Sequence, residues 1–414
     1  MKIAIKEYKL GNGLKCIFYQ NNKTPIVNIA VGYEVGSRYE KDGQKGIAHL
    51  FEHMMFQGSE NVKKNQHFEI VQKCGGYCNA FTHNDFTIFH TRVTSNHLET
   101  ILWLESERMN NLNIDETNLE NQKNVVIEEK LSHYDNLPYG TAMSNILSNI
   151  FKGTPYQTPI IGIKEDIENI TVDIAKEFYN TYYTPNRAAI AISGDIDVDK
   201  CIEKVEKYFG WINKKNSKVE ELNFEVNCNK FKPKIVKDNV SLVALYLAFP
   251  IPPAGSREEY IWEYFVNSIA NTKSSRLFKN LVYKKKYANS LFVLDYMLMK
   301  GGVMVINVLA NQGIDIKLIE KEIFSEIDKL VNEGLTSKEF NTIRNKIEFT
   351  HLTKLYLVQY VNLSILMNWL MFRKPELINE EIEKYLSVTP DEILNAVKKY
   401  IRKECMFKLI YEPK

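Results

Sequence analysis

The segment that most constrains this chain is residues 47–56, Ile-Ala-His-Leu-Phe-Glu-His-Met-Met-Phe, an apolar run interrupted by three titratable groups: His49, Glu52 and His53. Side chains four apart on a helix stand one turn apart on one face, so His49 and His53 can offer two imidazole nitrogens to one metal ion, with Glu52 beside them. Placing those groups among Ile47, Leu50, Phe51 and Met54 takes them out of water, and buried polar groups need partners. Catalytic zinc takes three protein ligands and keeps a fourth position open, so a further ligand must come from elsewhere in the chain. The order is the HxxEH inversion of the HExxH motif. With 8 His and 51 acidic residues in 414, chance supplies this pattern about 0.02 times per chain of this length.

The first half alternates strand and helix signals. Residues 1–20 alternate apolar and polar residues about Gly11-Asn12-Gly13 and read as a hairpin. Val27–Val35 reads as a strand, Gln44–Phe56 as a helix, Tyr77–Val93 as a strand pair and Asn96–Asn111 as an amphipathic helix. A helix over Asp115–Tyr134 offers Glu128, Glu129 and His133 as candidates for the missing ligand, and its periodicity leaves the choice open. The Lys-, Asn- and Glu-rich stretch 213–233 has the character of a linker, dividing the chain into domains 1–212 and 234–414. A strand running into Gly36-Ser37-Arg38 recurs 219 residues later as a strand running into Gly255-Ser256-Arg257, which points to an internal duplication. At that offset His49, Glu52 and His53 become Ser268, Asn271 and Thr272, so the second half has no metal set.

A net charge of +2 with 25% charged residues excludes a nucleic-acid coat and an extended disordered chain. No apolar core of a signal peptide opens the sequence, and no run of about 18 apolar residues predicts a membrane span. Six thinly spread Cys read as reduced thiols of a cytoplasmic protein, with Cys74 and Cys78 as small buried residues. No phosphate-binding glycine loop and no Ser or Cys nucleophile motif competes with the metal reading.

Gly36-Ser37-Arg38-Tyr39-Glu40 and then Gly46-Ile47-Ala48-His49-Leu50-Phe51-Glu52-His53-Met54-Met55-Phe56-Gln57-Gly58 resemble the zinc motif of the pitrilysin, insulin-degrading enzyme and mitochondrial processing peptidase family. Further matches follow in order at Gly75-Gly76, Asn79-Ala80-Phe81-Thr82, Val125-Val126-Ile127-Glu128-Glu129, Gly162 and Tyr183-Thr184-Pro185-Asn186. The resemblance implies an α+β fold of two homologous domains, each a mostly antiparallel sheet flanked by helices. It also implies a third zinc ligand at the end of a V-x-x-x-E pattern about 76 residues after the second His, and Glu129 stands 76 residues after His53. With one Zn2+ on His49, His53 and Glu129, Glu52 is placed as general base, since bound zinc makes hydroxide available near pH 7. By the same resemblance Asn79, Ala80 and Phe81 form an edge strand that pairs with the backbone of peptide substrates.

Two departures stand out. Relatives commonly carry a second glutamate seven residues before the ligand glutamate, where this chain has Gln122. Self-sufficient relatives also carry an Arg and, seven residues on, a Tyr that bind substrate opposite the zinc. Val282 and Asn289 stand at those positions here, with Tyr283 and Tyr287 nearby. Because long family members hold four such domains, this length implies a homodimer, or a heterodimer with a homologous chain that carries the missing groups. The expected activity is zinc-dependent hydrolysis of peptides or unfolded segments in a dimeric chamber. The alternative is a non-catalytic structural or regulatory subunit of the same fold.

Overall fold

Alternating apolar patterns in the first half become six strands: β1 (Ile5–Lys9), β2 (Lys15–Gln20), β3 (Ile26–Tyr33), β4 (Tyr77–Thr82), β5 (Thr87–Thr94) and β6 (Ala188–Gly194). In the computed structural model, which describes residues 2–215, 224, 226, 228 and 230–414, they lie in the order β1-β2-β6-β3-β5-β4. The β2–β6 pair is parallel and the others are antiparallel. The expected hairpin about Gly11–Gly13 is present, and the Asn12 amide in its turn donates to the carbonyls of Phe209 (2.7 Å) and Ile212 (2.9 Å).

Side-chain size alternates along β3 and β6. Ala30, Gly32, Ala189 and Ala191 point to one face, while Ile29, Val31, Tyr33, Ile190 and Ile192 point to the other. The small-residue face admits the helix Val358–Phe372 closely: a Cβ on Gly32 would meet Leu370 at 2.6 Å. Val361, Ile365, Leu366 and Leu370 of this helix form one core with Ala30, Ala189 and Ala191. The other face is covered by the helices Ile47–Met54 and Leu98–Asn110.

The second sheet consists of β7 (Lys234–Asp238), β8 (Ala244–Ile251), β9 (Ala288–Leu298), β10 (Gly301–Ala310) and β11 (Phe407–Pro413) in the order β7-β11-β8-β10-β9. Here β7–β11 is the parallel pair and the rest are antiparallel. This reproduces β2-β6-β3-β5-β4 strand for strand, so the duplication suggested by two short triplets extends to the topology. Ile146, Leu147 and Ile150 of the helix Ala142–Ile150 pack on this sheet against Ala248, Val303, Val305, Phe407 and Leu409.

The chain therefore forms two compact units that interleave along the sequence, whereas the sequence reading laid them out as contiguous stretches. The first contains residues 2–130, 158–215 and 352–381; the second contains 131–157, the described part of 222–351, and 382–414. Each sheet receives one helix from the other half of the sequence. Periodicity marks such a helix as amphipathic but does not say which sheet covers its apolar face. Most of the expected linker 213–233 lies outside the described residues.

The expectation of six reduced thiols is corrected. Cys228 and Cys405, 177 residues apart, form a disulfide within the second unit, while Cys16, Cys74, Cys78 and Cys201 are free. Cys74 and Cys78 are half-buried rather than buried. Pairing over such a separation is decided by the meeting of the Cys405 turn with the segment before β7, which spacing does not encode. Among the described residues no single helix is long and apolar enough to cross a membrane.

Candidate metal centre

The motif helix Ile47–Met54 is set against β4 by the loop before it. At Gly36 a Cβ would meet the carbonyl oxygen of His83 at 2.1 Å, so glycine alone lets this loop approach the β4–β5 turn. Arg38 pairs with buried Asp85 of that turn at 3.0 Å, and the Asn84 amide donates to the Ser37 hydroxyl at 2.8 Å. Glu40 then accepts the backbone N–H groups of Gly46 (3.0 Å) and Ala48 (2.9 Å), satisfying donors that the helix start leaves open. Burial nevertheless pushes the Glu40 carboxyl up to about 8, against those two bonds. Behind the helix start, Gly162 (φ +83°) lies against Gly46, where a Cβ would come within 2.4 Å of the Gly46 Cα.

His49, His53 and Glu129 converge from two helices. Glu129 projects from the helix Glu116–Lys130, with Oε1 3.9 Å from His49 Nε2 and Oε2 3.3 Å from His53 Nε2. All three donor atoms lie within 4.8 Å of one another. Tetrahedral zinc with bonds of about 2.0–2.2 Å separates its ligand atoms by roughly 3.3 Å, so the spacing suits one such ion. Burial first, then the neighbouring His53, lowers the His49 imidazole to about 4. A neutral ring beside Glu129 is a lone-pair donor rather than an ion-pair partner, which is the state a metal ligand requires. Glu128 and His133 are exposed and stand outside this cluster, so the geometry selects Glu129 from the three candidates.

Glu52, on the same helix as the histidines, accepts a hydrogen bond from the Thr82 hydroxyl at 2.6 Å. Burial raises its carboxyl above the usual carboxylate range, and the Thr82 hydroxyl opposes that rise. Asn79, Ala80 and Phe81 lie on β4, the outermost strand of the first sheet. Asn79 is exposed, Ala80 is buried, and the Ala80 N–H is held by the Asn79 side-chain oxygen at 2.9 Å. Gln122 is buried on the Glu129 helix, seven residues before the ligand. Val282 packs against the core of the second unit, Asn289 and Tyr283 are exposed, and Tyr287 is partly buried. The sequence reading passed over the tasks of Glu40 and Thr82. Their signals were in the quoted motifs, as the last residues of GSRYE and NAFT.

A duplicated sheet-and-helix fold with two His and a Glu gathered beside an HxxEH glutamate has the architecture of the inverted-motif metallopeptidases. The family model for peptidase family M16, insulinase, matches residues 16–164, and the model for the peptidase M16 inactive domain matches residues 169–347. The chain belongs to the M16, or pitrilysin, family. It is 29% identical over 339 residues to the zinc protease PqqE of Helicobacter pylori, covering 81% of this chain and 76% of that protein. To the uncharacterized zinc protease YmxG of Bacillus subtilis it is 27% identical over 346 residues, 83% of each chain. A solved protease from Helicobacter pylori superposes with a TM-score of 0.94 at 24% identity, covering 99% of this chain and all of the other.

Proposed function

We propose that this protein is a zinc-dependent metalloendopeptidase acting on peptides or unfolded segments. The observation that carries the reading is the convergence of His49, His53 and Glu129 with Glu52 on the same helix as the histidines, bonded by Thr82 at Oε2. Zinc held by the three ligands would supply Lewis acidity, polarising the scissile carbonyl and bringing the pKa of a water to near 7. Glu52 removes that water's proton and returns it to the leaving amine, and its half-buried setting raises its basicity for the task. Substrate backbone adds to the open edge of β4, displacing the Asn79 side chain from the Ala80 N–H, so affinity comes from main-chain bonds and tolerates varied sequence. A chamber formed with a second copy or with a homologous chain would restrict entry to unfolded segments. The Cys228–Cys405 bond favours an oxidising compartment over the cytoplasm expected from the sparse cysteines.

The test is mass-spectrometric cleavage of a mixed pool of unstructured peptides by the zinc-loaded chain, run beside Glu52→Gln. The expected outcome is cleavage by the wild type and a loss of at least about 10³-fold in the variant, with zinc retained. Val282 and Asn289, in place of the substrate-binding Arg and Tyr, favour a second reading in which the chain acts with or supports a homologous partner. That reading gains if neither protein cleaves until such a partner is added.

A further inference from the structure

The HxxEH glutamate is held from another element by one residue, Thr82, chiefly through its hydroxyl and more weakly through its backbone N–H. Thr82 is the last residue of β4, and its Oγ1 lies 2.6 Å from Glu52 Oε2. Thr82 is itself held firmly: it pairs across the sheet with Thr87, whose hydroxyl is fully buried and donates to the Val35 carbonyl at 2.8 Å. The strand end is thus fixed through the sheet, while the glutamate side chain on the helix has three rotatable bonds. A free carboxylate at this place has two competing uses: it can swing toward the His49–His53–Glu129 cluster as an extra ligand, or point away from it. A hydroxyl donor on Oε2 opposes both and leaves Oε1 to face the reacting water.

We propose that Thr82, at the end of the β4 edge strand, is the positioning residue for Glu52. The inference rests on the peptidase reading above. A misplacement of about 1 Å in such a group costs on the order of 10²-fold in rate.

The test compares Thr82→Val, which keeps shape and loses the hydroxyl, with Thr82→Ser, which keeps the hydroxyl. The expected result for Thr82→Val is a kcat at least about tenfold below wild type with KM within about twofold, one zinc per chain and an unchanged melting temperature. Thr82→Ser is expected to recover kcat to within about threefold. Equal impairment in the two variants, a loss confined to KM, or a Thr82→Val enzyme of wild-type kcat overturns the proposal. A zinc-loaded crystal structure of Thr82→Val gives a readout independent of turnover. Glu52 is expected to leave its position, and a Glu52 that stays in place overturns the proposal. Failure of the peptidase reading looks different: wild type and Glu52→Gln are then equally inert, while the crystallographic comparison still decides the role of Thr82.

Discussion

Two edge strands close the two homologous sheets, β4 in the first and β9 in the second, and they are finished in opposite ways. On β4 the Ala80 N–H is held by the side chain of its own neighbour Asn79, a local contact that a rotamer change removes. On β9 the side chain of Asn271 bonds both sides of one residue, accepting from Val293 N–H at 2.9 Å and donating to Val293 C=O at 2.9 Å. A carboxamide used this way imitates the next strand and fills the ladder position that an added peptide would take. The same topology thus yields one edge finished by a neighbouring side chain of the same strand and one stoppered by a side chain from outside it. Asn271 is the residue that the repeat offset aligns with Glu52, but it lies just beyond the helix Arg257–Ile269, whereas Glu52 lies within the helix Ile47–Met54.

The repeated triplet shows a similar divergence. Gly36-Ser37-Arg38 fastens the β4–β5 turn through Arg38 and Asp85. In the second unit Arg257 instead reaches Glu392 at the start of the helix Pro390–Tyr400, at 2.8 and 3.0 Å, and also bonds the Lys384 carbonyl at 2.9 Å. Identical residues therefore fasten the β4–β5 turn in one unit and join two helical segments in the other.

The largest expected effect tests the division of labour between the units. Glu129→Gln should lower zinc from one per chain to a small fraction after dialysis and reduce peptide cleavage by at least about 10³-fold, measured by metal analysis and kinetics. Full zinc occupancy in that variant would mean that the ion sits elsewhere. Next, Gly36→Ala should destabilise the first unit by about 3 kcal/mol or more, because its Cβ meets backbone oxygen at 2.1 Å, while Gly255→Ala (φ +82°) should cost only about 1 kcal/mol. Equal losses in denaturant melts would show that the two triplets are equivalent after all. Smallest of the three, Asn271→Ala should cost about 2 kcal/mol for two lost hydrogen bonds and speed hydrogen exchange at the Val293 amide. An unchanged exchange rate there would remove the plug from the account.

Much of this was present in the order of residues. The His49–His53 pair with Glu52 between them, the hairpin at Gly11–Gly13 and most strands and helices of the first half follow from local periods, because a helix repeats every 3.6 residues and a strand every two. Charge and the absence of apolar runs were likewise local facts. What the order of residues left open was every question of which surface meets which. Periodicity alone did not separate Glu128, Glu129 and His133; the family spacing pointed to Glu129, and the Glu116–Lys130 helix turns that side chain toward the two imidazoles. The sequence reading assigned no helix at Val358–Phe372, and the exchange of that helix and Ala142–Ile150 between units depends on the small-residue face of β3 and β6 and its counterpart in the second sheet. The Cys228–Cys405 pair, the Thr82–Glu52 bond and the Asn271 plug join residues 177, 30 and 22 positions apart. Contacts at those separations have no period for a sequence to display; they exist because packing buries the groups together and a buried polar group must then find its partner nearby.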